Sequence, residues 1–266
     1  MCPRGEDGIK PKKPAPCNGR AADFPFFAPL ERIATLEIDL NADLGEGVGA
    51  DAELMPLVTS ANISCGAHAG NPNTIRAALR LAGTRVAVGA HPGYADPEFF
   101  GRRDVPMSQL SVFNLCAYQI GALSGLALAD KQKVRYVKPH GALYHAACRD
   151  NDAALSVVLA AQMFELSVVA LPDSVLETLC NRYSVPFVAE GFADRRYRAD
   201  CSLVPRGEPG AMVESPTEAV AQVEWLVRDK KVRTICVHGD TPHAVAFAKA
   251  VREELLRRGF TLKAFA

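Results

Sequence analysis

From about residue 33 the chain alternates between short apolar runs and longer stretches whose apolar positions recur every three or four residues. The short runs predict strands over 34–40, 60–65, 86–90, 135–138, 167–170, 186–189 and 233–238. The periodic stretches predict helices over 72–81, 107–129, 152–164, 175–182, 215–230 and 242–258. Two helix starts are well marked. Ser108 can cap the run that begins with Leu110, and Ser215-Pro216-Thr217-Glu218 places serine at a cap with proline in the first turn. Gly259 after Arg257-Arg258 is a stop signal. Seven strands alternating with helices imply parallel strands joined by crossovers. The first thirty or so residues are rich in proline, glycine and charge and lack periodicity. The expected organisation is therefore a disordered or loosely packed extension over 1–32, followed by a single β/α domain over 33–266.

The residues just after each strand decide between an open sheet and a closed barrel. In a barrel the site is built from the carboxyl ends of successive strands, whereas an open sheet concentrates it at one switch point. Here histidine, carboxylate or lysine stands after nearly every strand, and all six histidines lie in or just after those segments. A barrel is expected.

Asp39, Asn41 and Asp43 alternate on one strand face, with Glu46 just beyond, so the acids can interact and shift one another's pKa. The bland alternative is a surface turn closing at Gly45-Glu46-Gly47. Gly45, Gly47 and Gly49 lack the spacing of a dinucleotide loop, and no P-loop occurs. Asn62 lies in the second segment, with Cys65 and His68 after it and His91 after the next strand. Asp43, His68 and His91 are metal candidates; the same histidines could instead bind substrate or move protons, and no metal is assigned. Lys138-Pro139-His140 ends a strand with a cation and an imidazole, suited to anion binding or base chemistry. Glu190, Asp194, Arg195 and Arg206 crowd one region, as a ligand site or as an internal salt-bridge network. His238-Gly239-Asp240 precedes the last helix, whose N-terminus could receive an anion.

Composition narrows the partners. Thirty basic and thirty acidic residues cancel, which argues against a nucleic-acid or anionic-membrane surface. No apolar run is expected to reach the roughly 20 residues of a membrane span. The eight cysteines form no C-x-x-C pair, which suits a reducing, cytoplasmic setting.

The segments IDLNADLGEG, LVTSANISCGAHAGNP, GAHPGY, FGRR, YQIGAL, VKPHGALY, FADR-x-Y, LVPR and CVHGDTP, in that order from Ile38 to Pro242, together resemble the LamB/YcsF family, the A subunit of prokaryotic 5-oxoprolinase. The resemblance implies a deformed β/α barrel of the glycoside hydrolase/deacetylase type. It also implies ATP-dependent opening of 5-oxoproline to L-glutamate, with ATP (and magnesium) as co-substrate and subunits B and C as partners. On that basis Asp43, Glu46, His68, His91, Lys138 and His140 are the catalytic candidates. Asp39, Asn41, Asn62, Glu190, Asp194, Arg195, Arg206, His238 and Asp240 are the substrate- or ATP-binding candidates. The chain departs from the family at Ala67, where an aromatic residue is usual, and at Asn71, where aspartate is usual; the loop after Gly47 and the segment between Lys230 and Thr234 are short. Two other readings stay open: a metal-dependent deacetylase or amidohydrolase of the same barrel type, and a non-catalytic substrate-binding subunit. A homo-oligomer is possible under any of them.

Overall fold

The computed structural model describes residues 36–48, 50–199, 201–239 and 243–266; the expected extension over 1–32 lies outside them. Seven strands run parallel in chain order: β1 (Glu37–Leu44), β2 (Ser60–Ser64), β3 (Ala87–His91), β4 (Val134–Val137), β5 (Ser167–Ala170), β6 (Phe187–Phe192) and β7 (Thr234–Val237). Each pairs with the next. β7 returns to β1 with Asp39 opposite Thr234, and β1 pairs with β2, so the sheet closes into the expected barrel. A two-residue strand, β8 (Thr261–Leu262), adds to the outer edge of β1 at Glu37 and Ile38.

The helices are α1 (Asp51–Leu54), α2 (Pro72–Ala82), α3 (Gln109–Ala129), α4 (Gly141–Arg149), α5 (Asn151–Met163), α6 (Val175–Arg182), α7 (Pro216–Lys230) and α8 (Ala244–Arg257). All six predicted helices form, most with the serine, asparagine or aspartate caps that their sequences offer. Asn71 accepts from the Asn73 and Thr74 backbone N–H groups while Thr74 bonds back to Asn71, so this departure from the family caps α2.

Three differences from the sequence reading have physical causes. First, β1 runs to Leu44 rather than ending at residue 40, because it is buried on both faces. Ile38, Leu40, Ala42 and Leu44 are in the apolar core, while Asp39, Asn41 and Asp43 find polar partners from other strands. Second, α4 is a helix that the sequence does not predict. Its cap position is His140, whose side chain makes no capping bond, and it opens on Gly141 at φ +52°, so the usual start signals are missing. Third, α3 is a 21-residue helix without a charged residue, long and apolar enough by composition to cross a membrane, contrary to the expectation that no such run exists. In this fold it is a barrel helix: Val112, Cys116, Ile120, Leu123 and Ala127 form one buried stripe, and it packs on α5 and on β3 and β4.

Candidate active site

Inside the barrel, side chains from five strands form one connected polar network. Asp39 sits deepest, accepting from Thr59 and Ser60 at 2.6 Å each and from the Thr234 hydroxyl. Burial outweighs these donors and pushes its carboxyl up to about 6. Asn41 donates to Thr234 (2.6 Å) and Glu190 (3.2 Å), while its oxygen accepts from Asn62 at 2.7 Å. Asn62 also donates to Asp43 (2.8 Å) and accepts from the Tyr136 hydroxyl (2.8 Å). Tyr136 has room because residue 89 is glycine; a Cβ there would lie 2.1 Å from its ring.

Lys138 stands at the centre, only 2% exposed. Its Nζ lies 2.8 Å from Glu190, 3.1 Å from Asp43, 3.3 Å from Asn41 Oδ1 and 3.1 Å from Cys236 Sγ. Burial alone would lower its pKa, but the Asp43 and Glu190 carboxylates hold it well above the ordinary lysine value, so it stays an ammonium. Burial in turn opposes ionisation of Asp43, yet His91 and Lys138 keep its carboxyl well below the usual range. The second oxygen of Glu190 accepts from Tyr144 at 3.0 Å. Lys138 is therefore a clamp between two buried carboxylates, with its charge already matched.

Above this network, His68 after β2, His91 at the end of β3 and His140 after β4 converge with Glu46 after β1. His91 Nδ1 faces the Lys138 carbonyl at 2.7 Å, and His140 Nε2 faces the Phe100 carbonyl at 2.8 Å; each of these nitrogens must donate. Their other nitrogens, His91 Nε2 and His140 Nδ1, lie 2.9 Å apart. Glu46 Oε1 is 3.2 Å from His68 Nε2 and 3.5 Å from His140 Nδ1, and Asp43 Oδ2 is 3.4 Å from His91 Nε2. His68 stacks flat on His140, 3.8 Å between centroids, and its Nδ1 is buried without a partner. Burial lowers the pKa of both His68 and His140, the latter helped by its histidine neighbours. Two glycines permit the cluster: a Cβ at Gly93 would be 2.7 Å from His68 Nδ1, and one at Gly101 (φ +64°) would be 2.7 Å from His68 Cβ.

Just after β6 and β7, Asp194 receives the His238 Nδ1 proton at 2.9 Å and the His238 backbone N–H at 3.0 Å, while the His238 ring stacks on Phe192. Arg195, next in the chain to Asp194, borders a cavity of about 520 Å³ that Arg102, Arg149, Arg198, Arg206 and Glu190 also line. Arg195 is buried, donates to the Val204 carbonyl at 2.6 Å and leaves Nε unpartnered. Burial, then Arg206 and Arg102 nearby, lower its pKa. Burial and the nearby arginines push His145 down to about 4.

The structure thus brings Asp39, Asn41, Asp43, Asn62, Lys138 and Glu190 into the lumen, and Glu46, His68, His91 and His140 onto its rim. Asp194 pairs with His238, which lies close to Asp43 and Cys236, and Arg195 and Arg206 line the cavity; Asp240 lies outside the described residues. Glu190 and Asp194 take Lys138 and His238 as partners, so the opposite charges of that segment do not simply neutralise each other. Sequence reasoning passed over Tyr136, Tyr144, Thr234, Arg102 and Arg149, and counted His145 among the six histidines without giving it a role. Tyr144 and His145 were visible in VKPHGALYH, but their bearing on the site depends on α4, which carried no start signal.

The model of the LamB/YcsF family matches residues 38–266. A lactam utilization protein from Thermus thermophilus is 40% identical, superposes with a TM-score of 0.80, and is matched over 86% of this chain and 100% of its own. The catalytic domain of a peptidoglycan N-acetylglucosamine deacetylase from Eubacterium rectale shares the fold alone, at 10% identity and a TM-score of 0.50, over 90% of this chain and 93% of its own. The chain belongs to the LamB/YcsF family.

Proposed function

We propose that this LamB/YcsF chain is the A subunit of an ATP-dependent 5-oxoprolinase, which opens the lactam of 5-oxo-L-proline to L-glutamate with hydrolysis of ATP and works with subunits B and C. The observation that carries the reading is a pair of features linked through one ion-pair chain: a cavity lined by five arginines and Glu190, and a cluster of histidines and carboxylates, with Glu190 tied through Lys138 to Asp43 beside that cluster. A small cyclic amide bearing a carboxylate, together with a phosphoryl donor, needs both cationic anchorage and proton handling. The whole-length likeness to a lactam utilization protein supports the same substrate class.

A five-membered lactam is a stabilised amide, so its carbonyl carbon resists water. In the proposed sequence the carbonyl oxygen takes the terminal phosphoryl group of ATP and ADP leaves. Water adds to the activated carbon and gives up a proton. The C–N bond breaks as the ring nitrogen takes a proton, which leaves an acyl phosphate; a second water adds to that carbon, phosphate departs with its bridging oxygen, and glutamate remains. Arg195 and Arg206 hold anionic groups. His238, its Nδ1–H fixed on Asp194, presents its other nitrogen for proton transfer, as an imidazole oriented by a carboxylate does. Asp43, Glu46, His68 and His140 position water at the rim. Lys138 acts on the site through Asp43 and Glu190.

The test is an assay of ATP-dependent glutamate release from 5-oxoproline, with and without the cognate B and C subunits. Release by the complete complex, lost on Arg195→Met or His238→Gln in this chain, is the expected result. Absence of glutamate from the complete complex would overturn the proposal.

A further inference from the structure

We propose that the rim holds a divalent transition-metal ion, with zinc as the first candidate, on His91 Nε2, His140 Nδ1, Glu46 Oε1 and Asp43 Oδ2. The argument begins with the two histidines. Their outer nitrogens face backbone carbonyls at 2.7 and 2.8 Å and so carry hydrogens. That bond is the usual second partner of a metal-bound imidazole; it fixes which nitrogen offers its lone pair. The inner nitrogens then meet at 2.9 Å, lone pair against lone pair. Such a contact needs a cation between the two atoms.

A proton or a metal ion could supply it, and the carboxylates decide between them. Asp43 Oδ2 lies 3.4 Å from His91 Nε2, and Glu46 Oε1 lies 3.5 Å from His140 Nδ1. Both distances are too long for good hydrogen bonds. A single shared proton would satisfy the two nitrogens and leave both oxygens outside. Ligands held about 2.1 Å from one ion and roughly 90–110° apart are themselves about 3.0–3.4 Å from each other. The separations of 2.9, 3.4 and 3.5 Å follow that pattern along the chain of four acceptor atoms. Two imidazoles and two carboxylates suit zinc or a neighbouring first-row ion rather than calcium or magnesium.

His68 belongs to the cluster but not to the ligand set. An imidazole offers its lone pair in the ring plane, and the His68 and His140 planes are parallel within 3° and stacked. One ion cannot lie in both planes. His68 instead turns Nε2 toward Glu46 at 3.2 Å, where it orients that carboxylate. A bound ion would polarise a carbonyl or activate a water at the mouth of the barrel.

Chelator-stripped protein titrated with ZnCl2 by calorimetry, in the absence of lactam and ATP, tests the site. The expected result is one ion per chain, with d–d absorption when Co2+ replaces zinc. Glu46→Gln and His140→Ala are each expected to weaken zinc binding at least 10-fold, and His68→Ala, which only orients Glu46, by less. Glu46→Gln preserves shape, and its circular dichroism melting curve without metal separates lost binding from lost folding. Absence of stoichiometric binding in the wild type, or unchanged affinity in a folded Glu46→Gln protein, would overturn the site. So would 15N spectra, recorded with zinc present, that show a proton shared between His91 and His140. Because no lactam enters the titration, a negative result here leaves the 5-oxoprolinase reading standing, and a failed glutamate assay leaves the metal site standing.

Discussion

The deep lumen and the rim of the barrel both bury polar side chains, by opposite rules. In the lumen, donors meet acceptors: Asp39 takes three hydroxyls, Asn41 and Asn62 interlock, and the Lys138 ammonium is shared by Glu190 and Asp43. At the rim, like meets like. Two imidazole nitrogens face each other beside two carboxylates, and in the cavity Arg195 lies near Arg206 and Arg102 with a buried Nε unpartnered. A satisfied network holds a shape. An unsatisfied one is costly unless something arrives to complete it, and it is where ligands belong. Depth in the barrel therefore separates framework from chemistry better than residue type does, since carboxylates and cations occur in both regions.

The sharpest way to break this comparison is to remove the lumen's cation. Lys138→Met leaves Asp43 and Glu190 buried without their shared counter-charge, which should destabilise the fold by about 3–5 kcal/mol. Glu46→Gln at the rim keeps an acceptor for His68 and should cost about 1 kcal/mol or less. Urea unfolding midpoints with unchanged m-values compare the two. Similar losses from both variants would remove the distinction between the regions.

Next in size is the pH response of Asp39. Its carboxyl is raised from 3.8 to about 6 by burial, so the folded protein resists its ionisation. Below pH about 4 the group is protonated in both folded and unfolded chains and costs nothing. As pH rises from about 4 through 6 the unfolded chain loses the proton first, and stability falls by an amount that then stays constant. Two pKa units correspond to about 3 kcal/mol. In Asp39→Asn this loss should vanish, so the difference in unfolding free energy between wild type and variant should change steadily from pH about 4 to 6. Parallel curves would mean that the three hydroxyl donors already compensate the buried charge.

How much of this was legible in the chain follows the same division by depth. The barrel, six helices and the lumen residues of β1 could be read because strand period and strand ends are local patterns: Asp39, Asn41 and Asp43 announce a shared face by spacing alone. Which side chains answer them was not legible. Asn41 meets Thr234 across 193 residues and Lys138 meets Asp43 across 95, and only barrel closure sets those partners. The rim was half visible. Its histidines stood out, but the stacking of His68 on His140 and the carbonyls that fix the His91 and His140 protons depend on backbone placement. The loop around Phe100 and Gly101 makes its contribution through a carbonyl and a missing side chain, neither of which advertises chemistry in a sequence. The arginine cavity was least legible, because His145 and Arg149 reach it on α4, which lacks an N-cap signal.

Gly101 tests how tightly that loop governs the rim. Gly101→Ala places a residue with a side chain at φ +64° and drives its Cβ to 2.7 Å from His68 Cβ and 3.1 Å from His140 Cδ2. The conformation alone costs of order 1–3 kcal/mol. His68 and His140 are both expected to shift, while the lumen stays intact. Their ring-proton shifts in NMR spectra should move, with those of Tyr136 and Tyr144 unchanged. Disturbance that spreads to Tyr136 would show that rim and lumen are one rigid unit.

The smallest stability effect is expected at Arg195, and it separates the two rules most finely. Arg195 is as buried as many lumen residues, yet it leans on one carbonyl, Val204 at 2.6 Å, and is crowded by other cations. Arg195→Met forfeits that bond and the attraction of Asp194, and with them the repulsion of Arg206 and Arg102, and methionine fills much of the space the stem occupied. The two losses have opposite signs, so unfolding free energy should move by about 1 kcal/mol or less. Binding of phosphate or 5-oxoproline, measured by calorimetry, should weaken by roughly 10- to 100-fold, the worth of a charged hydrogen bond. A variant several kcal/mol less stable with unchanged anion binding would make Arg195 a brace like Lys138. A stable variant that has lost its anion would place the arginine where the rim's rule puts it, as a charge that a ligand completes.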